Sequence, residues 1–206
     1  MVEELGHRER KKLRTRHALV QAALRLFEDK GYEETTLAEI AQEAGVAPRT
    51  FFAYFAGKED VVFFDDHTRL ERALELIDRR GPDETLVELL RRLLVEGLFS
   101  GSADSELAMR LAPVRSRLVA TVPALQAREL HLLFDTQRRL VRALREAYPG
   151  ELDLVAAATA VGALVGAVKL TSAACLERGD TPEEIWEATR RAADLVANGL
   201  QTLGAP

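Results

Sequence analysis

The sequence predicts an all-α fold of about nine helices, on three observations. Apolar residues recur at steps of three and four along almost the whole chain, the spacing of amphipathic helices. Sustained period-two alternation, the mark of half-buried strands, is missing. Two Thr-x-x-Glu segments, Thr36 to Glu39 and Thr181 to Glu184, have the form of a capping box: hydroxyl and carboxylate each accept from the other residue's backbone N–H.

The elements follow in order. A first helix is expected over residues 11–29, with Leu19, Ala22, Ala23, Leu26 and Phe27 as its apolar stripe and Gly31 as its stop. The second starts at Thr36 and ends at Gly45. Pro48, suited to a first helical turn, opens a short third helix through about Tyr54. Gly57 breaks it, and one long fourth helix is expected over residues 58–79. After Gly81-Pro82 a fifth helix spans residues 83–99, and residues 100–105 read as a loose turn. Residues 105–120 read as one or two short helices interrupted by Pro113. Long helices are then expected over 123–147 and 152–176, and a last one from Thr181 to near Leu203.

A chain of 206 residues, 47% hydrophobic and 30% charged, suits a globular protein with a proper core. The net charge of −5 excludes a uniformly basic nucleic-acid binder, but it hides an asymmetry. Arg8, Arg10, Lys11, Lys12, Arg14 and Arg16 face one acid in that stretch, Glu9, whereas residues 61–206 hold 18 bases and 22 acids. The single cysteine, Cys175, excludes an intramolecular disulfide and fits a reducing compartment. No signal-peptide pattern follows Met1, and the longest uncharged run, residues 154–168, falls short of the roughly 20 residues of a membrane span. A cytoplasmic protein without membrane contact is expected.

Two short helices joined through Ala44-Gly45-Val46-Ala47 have the spacing of a helix-turn-helix. Ile40, Ala41, Ala44, Val46, Phe51 and Phe55 would form its hinge core. That leaves Pro48, Arg49, Thr50, Ala53 and Tyr54 outward on the second helix. There they could contact bases and phosphates in a major groove. Spacing alone leaves a generic helix pair equally open.

The segments Thr36-Leu37-Ala38-Glu39-Ile40-Ala41-Gln42-Glu43-Ala44-Gly45-Val46, Arg49-Thr50-Phe51-Phe52-Ala53-Tyr54-Phe55 and Lys58-Glu59-Asp60-Val61 resemble the signature of tetracycline-repressor (TetR) family regulators. So do Ala22-Ala23-Leu24-Arg25-Leu26-Phe27 and Gly31-Tyr32 upstream. The resemblance implies a DNA-binding domain over 1–57 and a ligand-binding and dimerisation domain over 58–206. It implies that Thr36 holds a phosphate through its hydroxyl and the helix N-terminus. Pro48, Arg49 and Thr50 would face the groove, with Arg49 bidentate to guanine, while Tyr54 and Lys58 grip phosphates. Two positions depart from the family pattern: Phe52 stands where relatives often carry tyrosine, and Ala47 where a Ser or Thr cap is common. The basic strip, Arg14 and Arg16 included, reads either as a solvated helix start or as an extension along the DNA backbone.

In the body, Ala158, Gly162 and Gly166 lie four residues apart and would let another helix approach closely. Ile185, Thr189, Ala192 and Val196 share one face of the last helix. The resemblance implies that these two helices meet their copies in a homodimer, as a palindrome reader needs; filling the monomer core is the plainer alternative. Candidates for an effector pocket are Phe99, Met109, Phe134 and Leu164 as apolar wall, with Arg110 and His131 as polar groups. A small hydrophobic effector would act through the fourth helix as a lever and release operator DNA. No cofactor or metal site is expected, because neither a glycine-rich phosphate loop nor Cys/His ligand spacing occurs. Two rivals are an enzyme and a helical interaction module that has lost DNA binding. Within the regulator class, repressor and activator stay open.

Overall fold

In the computed structural model, residues 6–98 and 103–199 are described. Among them every regular element is helical. The helices are α1 (His7–Lys30), α2 (Leu37–Glu43), α3 (Pro48–Phe51), α4 (Lys58–Val62), α5 (Asp66–Asp78) and α6 (Leu86–Arg92), then a π-helical segment at Leu93–Leu98. They continue with α7 (Ala103–Thr121), α8 (Pro123–Ala147), α9 (Leu154–Arg178) and α10 (Pro182–Gly199). The chain forms two compact units. One holds the residues up to Phe64 with Leu111–Glu129; the other holds Asp65–Arg110 and Leu130 onward.

In the first unit, α1 buries Leu19, Val20, Ala22, Ala23, Leu24 and Phe27. Its first turn and a half, from His7 to Lys12, is exposed. The end of α7 and the start of α8 belong to this unit too. Arg117 pairs with Glu28 of α1, Arg128 donates to Asp60 of α4 at 2.8 Å, and the Arg115 guanidinium lies 5.4 Å from the Phe64 ring centre.

The expected single helix over 58–79 is two helices. Val61, Val62, Phe63, Phe64 and Asp65 are all buried. One face of a straight helix cannot bury five consecutive residues, and the chain turns out of helical geometry at Phe63 (φ −103°, ψ 31°) instead. A continuous lever across 58–79 is therefore not what this segment builds. The expected interruption at Pro113 is also corrected. The proline sits inside α7, where its missing N–H costs one hydrogen bond to the carbonyl of Met109 without ending the helix.

In the second unit, a core of Leu76, Ile77, Leu86, Leu89, Leu90, Leu93, Leu144, Tyr148, Leu152, Ala157, Ala160 and Val161 joins α5, α6, α8 and α9. A polar knot seals one end. Arg92 forks onto both carboxylate oxygens of Glu84 at 2.7 Å and reaches the Leu76 carbonyl. Tyr148 donates to the Glu84 carbonyl, and Arg80 lies 4.1 Å over the Tyr148 ring. Burial pushes the Tyr148 phenol up to about 12. The α6 cap is a further box, Thr85 with Glu88, two residues after the start expected from sequence.

Helix α9 is long and apolar enough, by length and composition alone, to cross a membrane, yet only 22% of that stretch is buried within the chain. Val155 and Leu170 on α9 and Leu195 on α10 are widely exposed.

Candidate nucleic-acid interface

The turn between α2 and α3 is built by Gly45, whose φ of +68° few side chains tolerate. The N–H of Val46 reaches the Ala41 carbonyl at 2.9 Å, and that of Gly45 reaches Gln42 at 3.0 Å. Together these close the end of α2 as a Schellman motif. The chain leaves it at the angle that places Pro48 at the first turn of α3. Phe51 and Phe55 anchor that turn, buried with ring centres 5.6 Å apart, over buried Ile40 and Ala41. Of the expected hinge core, Ala44 and Val46 are only half-buried.

With Phe51 inward, Pro48 and Arg49 are exposed, and Thr50 and Tyr54 are half-buried. Ala47 supplies no side-chain cap to α3. Thr36 caps α2, and its box with Glu39 is complete. The Thr36 hydroxyl donates to Glu39 Oε2 at 2.7 Å, and the Thr36 N–H reaches the same oxygen at 2.9 Å. Lys30 pairs with the other Glu39 oxygen. The Lys30 ammonium and the Thr36 donors together hold the Glu39 carboxyl down to about 2. A phosphate approaching Thr36 thus meets a hydroxyl whose proton already points at a carboxylate.

Two basic candidates are engaged inside the unit. Lys58 donates to the Tyr32 carbonyl at 2.8 Å and lies 4.4 Å over the Tyr32 ring. Burial, with the nearby Glu59 carboxylate adding to it, pushes the Tyr32 phenol above the ordinary tyrosine range. Arg16 donates to the Phe64 carbonyl and lies over that ring. Arg14 stays exposed on α1.

A family model described as bacterial regulatory proteins, tetR family, matches residues 19–63, which run from α1 past the end of α4. The regulator TcmR of Streptomyces glaucescens is 33% identical over 172 residues, covering 78% of this chain and 75% of TcmR. The chain belongs to the TetR family of bacterial regulatory proteins. It is a transcriptional regulator, and α2 and α3 are the helix-turn-helix of its DNA-binding domain. Two solved structures share the TetR fold. FadR of Bacillus halodurans, a fatty acid degradation regulator, matches with a TM-score of 0.56 at 21% identity, over 91% of this chain and 96% of that one. FadR of Bacillus subtilis, solved with stearoyl-CoA, also matches with a TM-score of 0.56 at 21% identity, over 88% and 97%.

In this TetR-family chain the body candidates differ in burial. Met109 is half-buried and Leu164 packs on the body core. Phe134, expected in the apolar wall, is exposed, as are the expected polar groups Arg110 and His131, and Phe99 lies outside the described residues. Of the expected dimer face, Gly162 is exposed, and Gly166, Ile185 and Ala192 are half-buried. Thr189 is fully buried inside the chain, where its hydroxyl donates to the Ile185 carbonyl at 2.7 Å and meets Ser172 of α9. Val196 packs on the body core. Among the described residues no group of three or more His, Cys, Asp or Glu side chains is placed to hold a metal.

Phe52, to which the sequence motif gives no role, stands exposed beside buried Phe51. The signal was there: two adjacent aromatics on one short helix cannot both face the same core.

Proposed function

We propose that this chain is a homodimeric repressor that binds a palindromic operator and is released by a small hydrophobic effector. The observation that carries the reading is α3 itself: buried Phe51 and Phe55 turn Pro48 and Arg49 outward at its N-terminal end. That is the part of a recognition helix that meets base edges. DNA binding is assigned to residues 1–57, with Thr36, Thr50 and Tyr54 as accessory contacts, Lys58 just beyond, and Arg14 and Arg16 along the backbone. Effector binding and dimerisation are assigned to 58–206.

The exposed apolar face of α9 and α10 supports the dimer. Leu170 and Leu195 are each 75% exposed, and a side chain added at Gly162 or Gly166 meets nothing within 4 Å in the single chain. Open space beside two helical glycines is what a second copy's helix would fill. The same burial would cover α9, so its apolar length calls for a partner helix rather than a bilayer, and the regulator works in the cytoplasm beside its operator. It acts by binding, not by turnover. FadR of Bacillus subtilis holds stearoyl-CoA in its solved structure, which supports an acyl chain as the first effector to try.

The test begins with selection of bound duplexes from a random pool, followed by titration of the complex with stearoyl-CoA and with aromatic compounds of similar hydrophobicity. The proposal expects a palindrome to be recovered and one of these compounds to release it. Recovery of unrelated sequences would remove the DNA-reading role. An operator complex indifferent to every hydrophobic compound would remove the effector.

A further inference from the structure

Phe52 leaves 62% of its surface open to solvent. Its neighbour Phe51 is fully buried, and the two rings meet edge to face at 5.7 Å. The Phe52 ring is thus braced on one side by Phe51 while the rest of it stands open to solvent. A scattered exposed apolar residue needs no explanation; the position of this one does. Phe52 keeps helical geometry as the cap of α3 (φ −67°, ψ −12°), and it follows Arg49 by three residues. Their Cβ atoms are therefore about 5–6 Å apart on one face of the helix. Along a DNA strand that distance is one to two base steps of about 3.4 Å.

Within the major groove the apolar feature of a base edge is the C5 methyl of thymine. Phenylalanine has no hydroxyl to donate to a phosphate, so what its ring offers the DNA is an apolar surface. We propose that Phe52 reads a thymine through its C5 methyl, one or two base pairs from the guanine met by Arg49. The proposal rests on the DNA-binding reading of α3 and names part of its sequence preference. Arg49 and Phe52 together form a two-residue reader, one polar and one apolar.

The test replaces thymine by deoxyuridine, which removes the methyl and leaves every hydrogen-bonding group in place. Each thymine of the selected palindrome is replaced in turn, symmetrically in both half-sites, and the affinity of the full chain is measured. At one thymine, one or two positions from a guanine, replacement should weaken wild-type binding about fourfold per half-site, the value of one buried methyl. Phe52→Ala should bind the thymine and uracil duplexes alike, and Phe52→Leu should keep part of the preference. Circular dichroism checks that each variant is folded; Phe52→Gln, close in length but polar, replaces Phe52→Ala if that variant is not. Uracil replacement without effect on the wild type at every position overturns the proposal. So does a Phe52→Ala or Phe52→Gln variant that still discriminates. A wild-type chain that selects no palindrome fails earlier, at the DNA-binding reading itself, so the two failures are distinguishable.

Discussion

The ammonium of Lys58 sits 2.8 Å from the Tyr32 carbonyl oxygen and 4.4 Å from the centre of the Tyr32 ring. A residue that the family motif marks for phosphate contact therefore braces the loop between α1 and α2. A charge-assisted hydrogen bond with a cation–π contact stabilises by about 1–2 kcal/mol at a half-exposed site. Lys58→Ala should lower the melting temperature, by about 2–4 °C per kcal/mol in a chain of this size, besides weakening DNA binding. A variant that binds DNA weakly at unchanged melting temperature would make Lys58 a phosphate contact alone.

The Thr36–Glu39 box predicts a pH dependence. Glu39 titrates near 2 in the folded chain against an ordinary value of 4.5. A depressed carboxyl stabilises fully above its unfolded value and progressively less as pH falls towards the folded one. Wild type should thus be more stable than Glu39→Gln at neutral pH, with the gap closing between pH 4.5 and about 2. Thr36→Ala should cost about 1 kcal/mol at neutral pH, the usual worth of such a cap. Melting curves taken across this range check both, and a gap that stays constant with pH would contradict the assigned role of Glu39.

The knot around Glu84 predicts a local weakness in the body. Its carboxylate takes two hydrogen bonds from Arg92, whose side chain is 24% exposed. Glu84→Gln should cost about 1–3 kcal/mol, because a partly buried guanidinium loses its charge partner. Denaturant unfolding measures this, and an unchanged midpoint would show the pair to be solvated.

The dimer face predicts a separation of folding from assembly. Gly162→Leu meets open space in the single chain, so helicity should be retained while the bulky side chain keeps the partner helix away. Light scattering should then report a monomer with a wild-type circular dichroism spectrum. An intact dimer would move the contact elsewhere on α9 and α10, with Leu170→Glu and Leu195→Glu as the next variants.

What the sequence made legible followed local chemistry. The Thr36 box, the Gly45 turn, Pro48 at the first turn of α3 and the span of α8 are set by neighbours a few residues apart, and each is found as expected. The break after Val62 was not legible, because Val61 to Asp65 reads as a helical continuation until the surrounding core requires all five to be buried. The phosphate contact that the motif implies for Lys58, and the backbone extension open to Arg16, carry no sign of their carbonyl partners, which lie 26 and 48 residues away. Thr189 shares a helical face with Ile185, but its burial against Ser172 depends on how α9 and α10 meet.

The proposed reading of DNA sequence turns on Arg49, exposed on α3. The most direct measurement is the anisotropy of a labelled duplex, the selected palindrome against its scramble at one fixed salt concentration, for wild type and Arg49→Ala. Wild type should prefer the palindrome by at least about 10³-fold, and Arg49→Ala should lose about 1–3 kcal/mol of that preference while its affinity for the scramble falls far less. Superimposed isotherms for palindrome and scramble with the wild-type chain would contradict it.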